Sequence, residues 1–380
     1  MSSIVQNTLL AGWLLVQSAT SAWAQHAQPH GPQAEAAGVI EAAQRNPNDP
    51  KLVTAAGEYL YEHEQWQRSI AWLARAYELS AHNQEIGYDL ASARIQAGDL
   101  KAAKQQLDEM SSHVDTSRVH SLLGEWQEQS GAYSAAAHEY YRAAEIEPSE
   151  SNIFDLANFL LQHKKYSGYL QDSVKFFRFG VSKFPRSSKM TVGLGVALYA
   201  SEEYDEALKV LCDAVDLAPD DQRPITFLGM ARKVSPELAA QVDRRLQEFA
   251  ERYPQNAAAN YEYAVSLWDR GGGELGRNLD KIKALLRQAI ARAPQWYEPH
   301  YQLGLLYERN AQPEDAIREM RKASALQPAF KPAHFHLAVL YKRVGDQAHA
   351  AQESQRARQL DNAEIKSAMP AAEGSPAEAK

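Results

Sequence analysis

Two stretches with helical spacing of apolar residues alternate along most of this chain, and the pair returns with a period of about thirty-four residues. The clearest copy runs Leu194-Gly195, Leu198, Ala207, Leu211, Ala214 and Pro219. The figure recurs as Leu303-Gly304, Tyr307, Ala316, Met320, Ala323 and Pro328, and as Leu123-Gly124, Ala136, Tyr140, Ala143 and Pro148. Pro148, Pro185, Pro219, Pro254, Pro294 and Pro328 each follow the second stretch of a pair, where a residue without a backbone N–H stops a helix. Two helices per period predict a one-dimensional array of helix pairs rather than a chain wrapped around one core.

The small residue in the first helix, the two alanines in the second and the closing proline resemble the tetratricopeptide repeat. The resemblance implies an all-α fold, a right-handed superhelical solenoid of antiparallel helix pairs. About nine repeats would cover 48–364, headed by a capping helix over 34–47 that ends at Asn46-Pro47. Within each pair the backbones of helix A and helix B approach closely. Gly57, Gly124, Gly195, Gly229 and Gly304 are expected to keep that contact short, as are Ala91, Ala157, Ala264 and Ala338 in the other repeats. Glycine inside a helix costs about 1 kcal/mol relative to alanine, so its repeated use at one register position points to packing. Two repeats exceed the period. Residues 164–172 insert Tyr166, Gly168 and Tyr169 between two helices, and residues 270–280 insert Gly271-Gly272-Gly273 and Gly276. Insertions in solenoids go to loops.

The two ends differ in kind from the repeats. A short apolar run from Leu9 to Val16 and the small-x-small triplet Ala22-Trp23-Ala24 read as a signal peptide over 1–24, cleaved before Gln25, although Met1 to Thr8 contains no Lys or Arg; an uncleaved anchor is the alternative, with a run shorter than the ~20 residues a span needs. An exported protein, periplasmic or secreted, is the expectation. Residues 25–33, with Pro29, Gly31 and Pro32, read as a flexible linker, and 365–380 as a disordered tail rich in Ala, Glu, Pro, Gly and Ser. No later segment is long and apolar enough for a transmembrane span, so none is expected in the mature chain.

Composition removes several function classes. The net charge of −8 is spread along the chain with no basic stripe, so no nucleic-acid partner is expected. Cys212 is the single cysteine, which precludes an intramolecular disulfide and leaves a zinc site short of ligands. No phosphate loop, dinucleotide fingerprint, nucleophile elbow or metalloprotease motif is present, and Gly271-Gly272-Gly273 runs into Glu274 rather than a Lys-Ser or Lys-Thr pair. His26 and His30 near the mature N-terminus are weak candidates for copper or nickel. His120, His300 and His334 share one register position in helix A and read as rings packing between repeats. No catalytic residue, metal site or cofactor is therefore expected, and the lack of clustered polar residues argues against an enzyme.

By the resemblance, the A helices line the concave face. Their inward positions carry Tyr88, Phe154, Val192, Val196, Tyr199, Met230, Tyr261, Val265, Trp268, Tyr301, Leu305, Phe335 and Val339. Tyr88, Phe154, Tyr199, Tyr261, Trp268, Tyr301 and Phe335 are the candidate partner-binding residues; the competing reading packs them against neighbouring A helices. The family's carboxylate clamp, built from Lys, Arg and Asn, is not expected. Its positions carry Thr54, Glu58, Ser121, Glu125 and Asn158, of which Asn158 alone matches in type. The function that follows is a non-enzymatic protein–protein interaction scaffold or adaptor of the bacterial cell envelope, holding a protein or peptide segment in an aromatic-lined groove. Glycan or lipid-precursor binding in envelope biogenesis is the alternative, because aromatic platforms suit sugars too.

Overall fold

The computed structural model describes residues 32–234, 236–271 and 275–368, and among these every regular element is an α-helix. The expected signal segment, most of the linker, Gly272 and Gly273, and residues 369–380 lie outside the described residues. The chain divides into two compact units, one ending at Leu217 and the other starting at Ala218.

The first unit holds α1 (Pro32–Arg45), α2 (Pro50–Glu62), α3 (Trp66–Leu79), α4 (Gln84–Gln96), α5 (Leu100–Ser111) and α6 (Ser117–Gln129). It continues with α7 (Tyr133–Ile146), α8 (Glu150–Gln162), α9 (Tyr169–Lys183), α10 (Ser188–Ala200) and α11 (Tyr204–Leu217). The second unit holds α12 (Arg223–Val234), α13 (Pro236–Arg252), α14 (Ala257–Asp269) and α15 (Leu275–Arg292). It ends with α16 (Tyr297–Arg309), α17 (Pro313–Leu326), α18 (Lys331–Arg343) and α19 (Gln347–Ala368). From α2 onward, even-numbered helices are the A member of a pair and odd-numbered helices the B member. Within each unit every helix packs on its sequence neighbours. In the first unit the A helices also touch in succession, α2 on α4, α4 on α6, α6 on α8 and α8 on α10; in the second, α12 touches α14.

Local chemistry sets the helix boundaries. Asp49, Asn83, Thr116, Ser149, Ser187 and Asn256 stand ahead of A helices, and the side chain of each accepts from a backbone N–H of the first turn. A-to-B turns use a left-handed residue: Gly98, Gly131 and Gly345 in three of them, Glu64, Glu202 and Ala311 in three others. Helix α19 runs to Ala368, past residue 364, where the array was expected to give way to a tail. The segment Asp361 to Ala368 contains no glycine or proline to stop it. Helix α1 begins at Pro32, a residue suited to a first helical turn.

The register glycines work as expected in four repeats. A Cβ on Gly57 would press on Leu73, on Gly124 on Tyr140, on Gly195 on Leu211, and on Gly304 on Met320. Each neighbour lies sixteen residues on, in the B helix of the same pair. Gly229 departs from this rule, because sixteen residues on stands Arg245, which is exposed. The close neighbour of Gly229 is instead the Glu262 carboxylate of α14. Gly229 therefore admits the next A helix rather than its own B helix. The core is a chain of small clusters, such as Tyr88, Ala91, Ile95, Ala103, Leu107, Met110, Val119 and Leu122. Cys212 is buried in α11.

Candidate functional site

The A helices place the candidate aromatic residues differently in the two units. In the first, Tyr88 is buried in the cluster with Met110 and Val119; its hydroxyl meets Thr116 Oγ1 at 3.0 Å and the Arg118 guanidinium covers its ring at 4.6 Å. Phe154 is buried edge-on to Phe177, with Lys189 Nζ 3.7 Å above its ring. Tyr199 is buried against Tyr204. Each of these rings touches a neighbouring helix, and they do not form an exposed row.

In the second unit the same positions are more open. Tyr261 is half-buried against Trp296, and Trp268, on the same helix, lies under Arg309. Tyr301 meets Phe330 at 4.9 Å and His336 at 5.8 Å, and Phe335 meets His336 at 5.7 Å, so His336 joins these last two candidates. Phe335 is 59% exposed and Val339, one turn further along α18, is 38% exposed. Beside Tyr261, Glu262 is only 4% exposed. Burial drives its carboxyl up to about 7, opposed by Lys233 and Arg232 and reinforced by Glu298 and Asp269. Burial likewise raises Glu298, whose Oε2 is shielded from solvent and makes no hydrogen bond.

The first unit carries a polar groove that the sequence reading missed. It has a volume of about 350 Å³ between α2, α4, α6 and α8, and Tyr61, Ser92, Arg118, Ser121, Glu125 and Asp155 are among its lining residues. Burial pushes the Glu125 carboxyl up to about 7, helped by the charges of Asp155 and Glu128. Asp155 is raised mainly by burial, and Glu58 by burial and then by Asp89. The expectation of no clustered polar residues is therefore corrected. Glu58, Asp89, Glu125 and Asp155 come one from each of four successive A helices, thirty or more residues apart in sequence. The available signal was the pair Glu58 and Glu125 at positions where the clamp would need cations. Among the described residues no three His, Cys, Asp or Glu side chains converge in a metal-binding arrangement.

The three register histidines also act otherwise than expected. His120 Nδ1 meets Glu139 at 2.6 Å, His300 Nδ1 meets Glu319 at 2.8 Å, and His334 Nδ1 meets Glu353 at 2.6 Å. Each partner lies nineteen residues on, in the B helix of the same pair. These imidazoles are polar ties from A to B within one repeat. A ring with a nitrogen at that position, buried as in His300 and His334, needs a hydrogen-bond partner. The recurrent His and Glu nineteen apart was readable in the sequence. The insertion 164–172 packs through its tyrosines: Tyr166 against Tyr133 at 5.9 Å and Tyr169 against Phe159 at 6.1 Å. Its Gly168, at φ 82°, begins α9 in a conformation that favours glycine.

Comparison with known proteins bears on this architecture. Tetratricopeptide repeat family models match residues 60–125, 163–222 and 297–330. No curated protein matches the chain. Among solved structures, MamA is 17% identical over 46% of this chain and 97% of its own, with a TM-score of 0.38. YrrB, described as a TPR protein with an unusual peptide-binding site, is 18% identical over 50% of this chain and 96% of its own, at 0.35. Human IFIT1, solved as a dimer with m7Gppp-AAAA, is 13% identical over 84% of this chain and 80% of its own, at 0.41. The three matched segments fall on the helix pairs, and the chain is a tetratricopeptide repeat protein.

Proposed function

We propose that this protein is a non-enzymatic scaffold of the bacterial cell envelope that is exported and holds a protein partner's segment against its A helices. The family's role in protein–protein interaction supports the coarse reading. The finer reading rests on one observation, the exposed apolar pair Phe335 and Val339 on α18 beside the half-buried Tyr301. Exposed contiguous apolar surface marks interaction sites, and a rigid aromatic ring is the usual anchor of one. Tyr261 and Trp268 on α14 extend the aromatic character of the same unit.

Co-purification from envelope extracts tests the reading, with wild type and Phe335→Ala compared on the same preparations. Truncating an anchor costs about 2 kcal/mol or more, a loss of roughly thirtyfold in affinity. Phe335 is exposed, so its variant should keep the wild-type melting temperature while losing partner. Undiminished capture by Phe335→Ala refutes the assignment of this surface. Export is tested separately by N-terminal mass mapping, for which a mature start at Gln25 is expected; an intact Met1 terminus in a cytoplasmic pool refutes it.

A further inference from the structure

We propose that the groove between α4, α6 and α8 receives a cationic side chain from a basic, lysine- or arginine-bearing segment of a partner protein, its charge meeting Glu125 and Asp155. The proposal deepens the scaffold reading and rests on it. The cations already present are engaged. Arg118 Nη1 donates to Glu85 at 2.5 Å and Nη2 to Asp89 at 2.7 Å, while Lys189, the cation near Asp155, lies over the Phe154 ring. The hydroxyls are also engaged: Tyr61 donates to Ser92, Ser117 to Glu147, Ser121 to Asn152 and Ser151 to Asp155.

Two acceptors remain, one of them on the groove's lining. The Glu125 carboxylate is hydrogen-bonded by Gln96 but keeps an Oε2 with no hydrogen-bond partner, and Asn158 Oδ1, one helical turn beyond Asp155 on α8 and outside the lining, has none either. A buried polar atom left unpaired costs free energy, and here both are acceptors, so the missing group is a donor. Beside carboxylates that repel one another, a charged donor is favoured over a neutral one. The partner's extent follows from the layout. Glu58, Asp89, Glu125 and Asp155 stand one per A helix along α2, α4, α6 and α8, the last two on the groove's lining, which suits an extended chain carrying several cations rather than a lone ion. No three metal-ligating side chains converge among the described residues, so a divalent cation has too few protein ligands.

The test uses the full chain and a fluorescein-labelled peptide with four lysines spaced by Gly-Gly pairs, followed by fluorescence anisotropy at 150 mM salt. Its lysine-acetylated copy is the uncharged control. Glu125→Gln and Asp155→Asn remove charge from the groove; Glu314→Gln removes one from an exposed position on α17. The expected result is binding of the lysine peptide but not the acetylated one, a Kd raised tenfold or more by Glu125→Gln and Asp155→Asn, and no change for Glu314→Gln. Glu125→Gln takes away a buried charge that is repelled by its neighbours, so it should fold with unchanged helix content; Asp155→Asn provides the second reading. Absent binding, wild-type affinity in both groove variants, or equal weakening by Glu314→Gln, which would mean diffuse attraction to an acidic chain, each overturns the proposal. Because the Phe335→Ala co-purification concerns another helix and another readout, the scaffold reading survives or fails on its own.

Discussion

Alanine substitution at four glycines separates helix propensity from close packing. Each replacement gains about 1 kcal/mol of helix propensity, and overpacking a core costs about 1–3 kcal/mol. Space decides the sign. In α1, Gly38 has nothing within 4 Å of an added Cβ. In α16, the Cβ on Gly304 would lie 2.9 Å from Met320 Cγ and 3.0 Å from its Cε, atoms of a flexible thioether chain that can swing aside. In α10, the Cβ on Gly195 would lie 2.6 Å from Leu211 Cγ, a branch point held in the buried A–B seam. Gly193 is tighter, because its Cβ would fall among the ring carbons of Phe177, a rigid and fully buried side chain of α9. Gly38→Ala should therefore stabilise by about 1 kcal/mol, Gly304→Ala should be close to neutral, and Gly195→Ala and Gly193→Ala should destabilise by about 1 and about 2 kcal/mol. Because repeats contact only their neighbours, lost hydrogen-exchange protection should concentrate in α9–α11 for the last two and spare α2–α5. Exchange read by mass spectrometry, with a thermal melt of the same samples, gives both size and place. Unchanged or greater protection of α9–α11 in Gly193→Ala would refute the steric reasoning, as would a larger loss for Gly304→Ala than for Gly195→Ala.

Three further outcomes follow from the same geometry. Glu262, lifted by burial to about 7, favours the folded state when protonated, so its penalty grows as pH rises from 4.5 through 7; Glu262→Gln should stabilise the second unit at pH 8 by up to about 3 kcal/mol and leave it unchanged at pH 4, and an equal effect at both pH values refutes this. For Glu319, burial pushes upward but the His300 hydrogen bond, with Lys322 and Arg318, outweighs it and holds the carboxyl below its ordinary value. Its contribution is present above pH 4.5 and lost as pH falls through the folded value, so Glu319→Gln should flatten the acid limb of a melting-temperature profile; an unaltered limb counts against the tie. Ala311 closes the α16–α17 turn at φ 54°, a conformation costly for a residue with a Cβ, and Ala311→Gly should raise stability by about 1 kcal/mol in denaturant titration, whereas a fall would show that the turn does not carry that strain.

What the sequence made legible is what the array repeats. Gly57 with Leu73, Gly124 with Tyr140, Gly195 with Leu211 and Gly304 with Met320 recur at one offset because every pair of helices meets in the same way. The failures occur where one repeat consults another. Gly229 belongs to the register by spacing, yet its close neighbour is Glu262 of the following A helix, a residue the period does not mark. Tyr88 and Phe335 are both aromatic and both on A helices, but Met110 and Val119 cover the first, while among the described residues no A helix follows α18 to cover the second. Periodicity counts such residues as equals; their exposure depends on what the next pair brings.

The acidic groove carries that argument to function. The repeated packing geometry requires small residues and alanines at the seams of each pair, and those positions are consequently uninformative about a partner. The A-helix positions outside the seams are free to vary from one repeat to the next, and they do. The carboxylates of Glu58, Glu125 and Asp155 stand on α2, α6 and α8, whereas aromatic rings stand at least partly open on α14, α16 and α18. A partner recognised by both units would need a basic stretch and an apolar one, and charge removal at Glu125 and ring removal at Phe335 should then impair its capture separately. A partner lacking the basic stretch should lose capture with Phe335→Ala and be indifferent to Glu125→Gln. The two substitutions, measured alone and together on one captured protein, test whether charge attraction at Glu125 and apolar anchoring at Phe335 act independently.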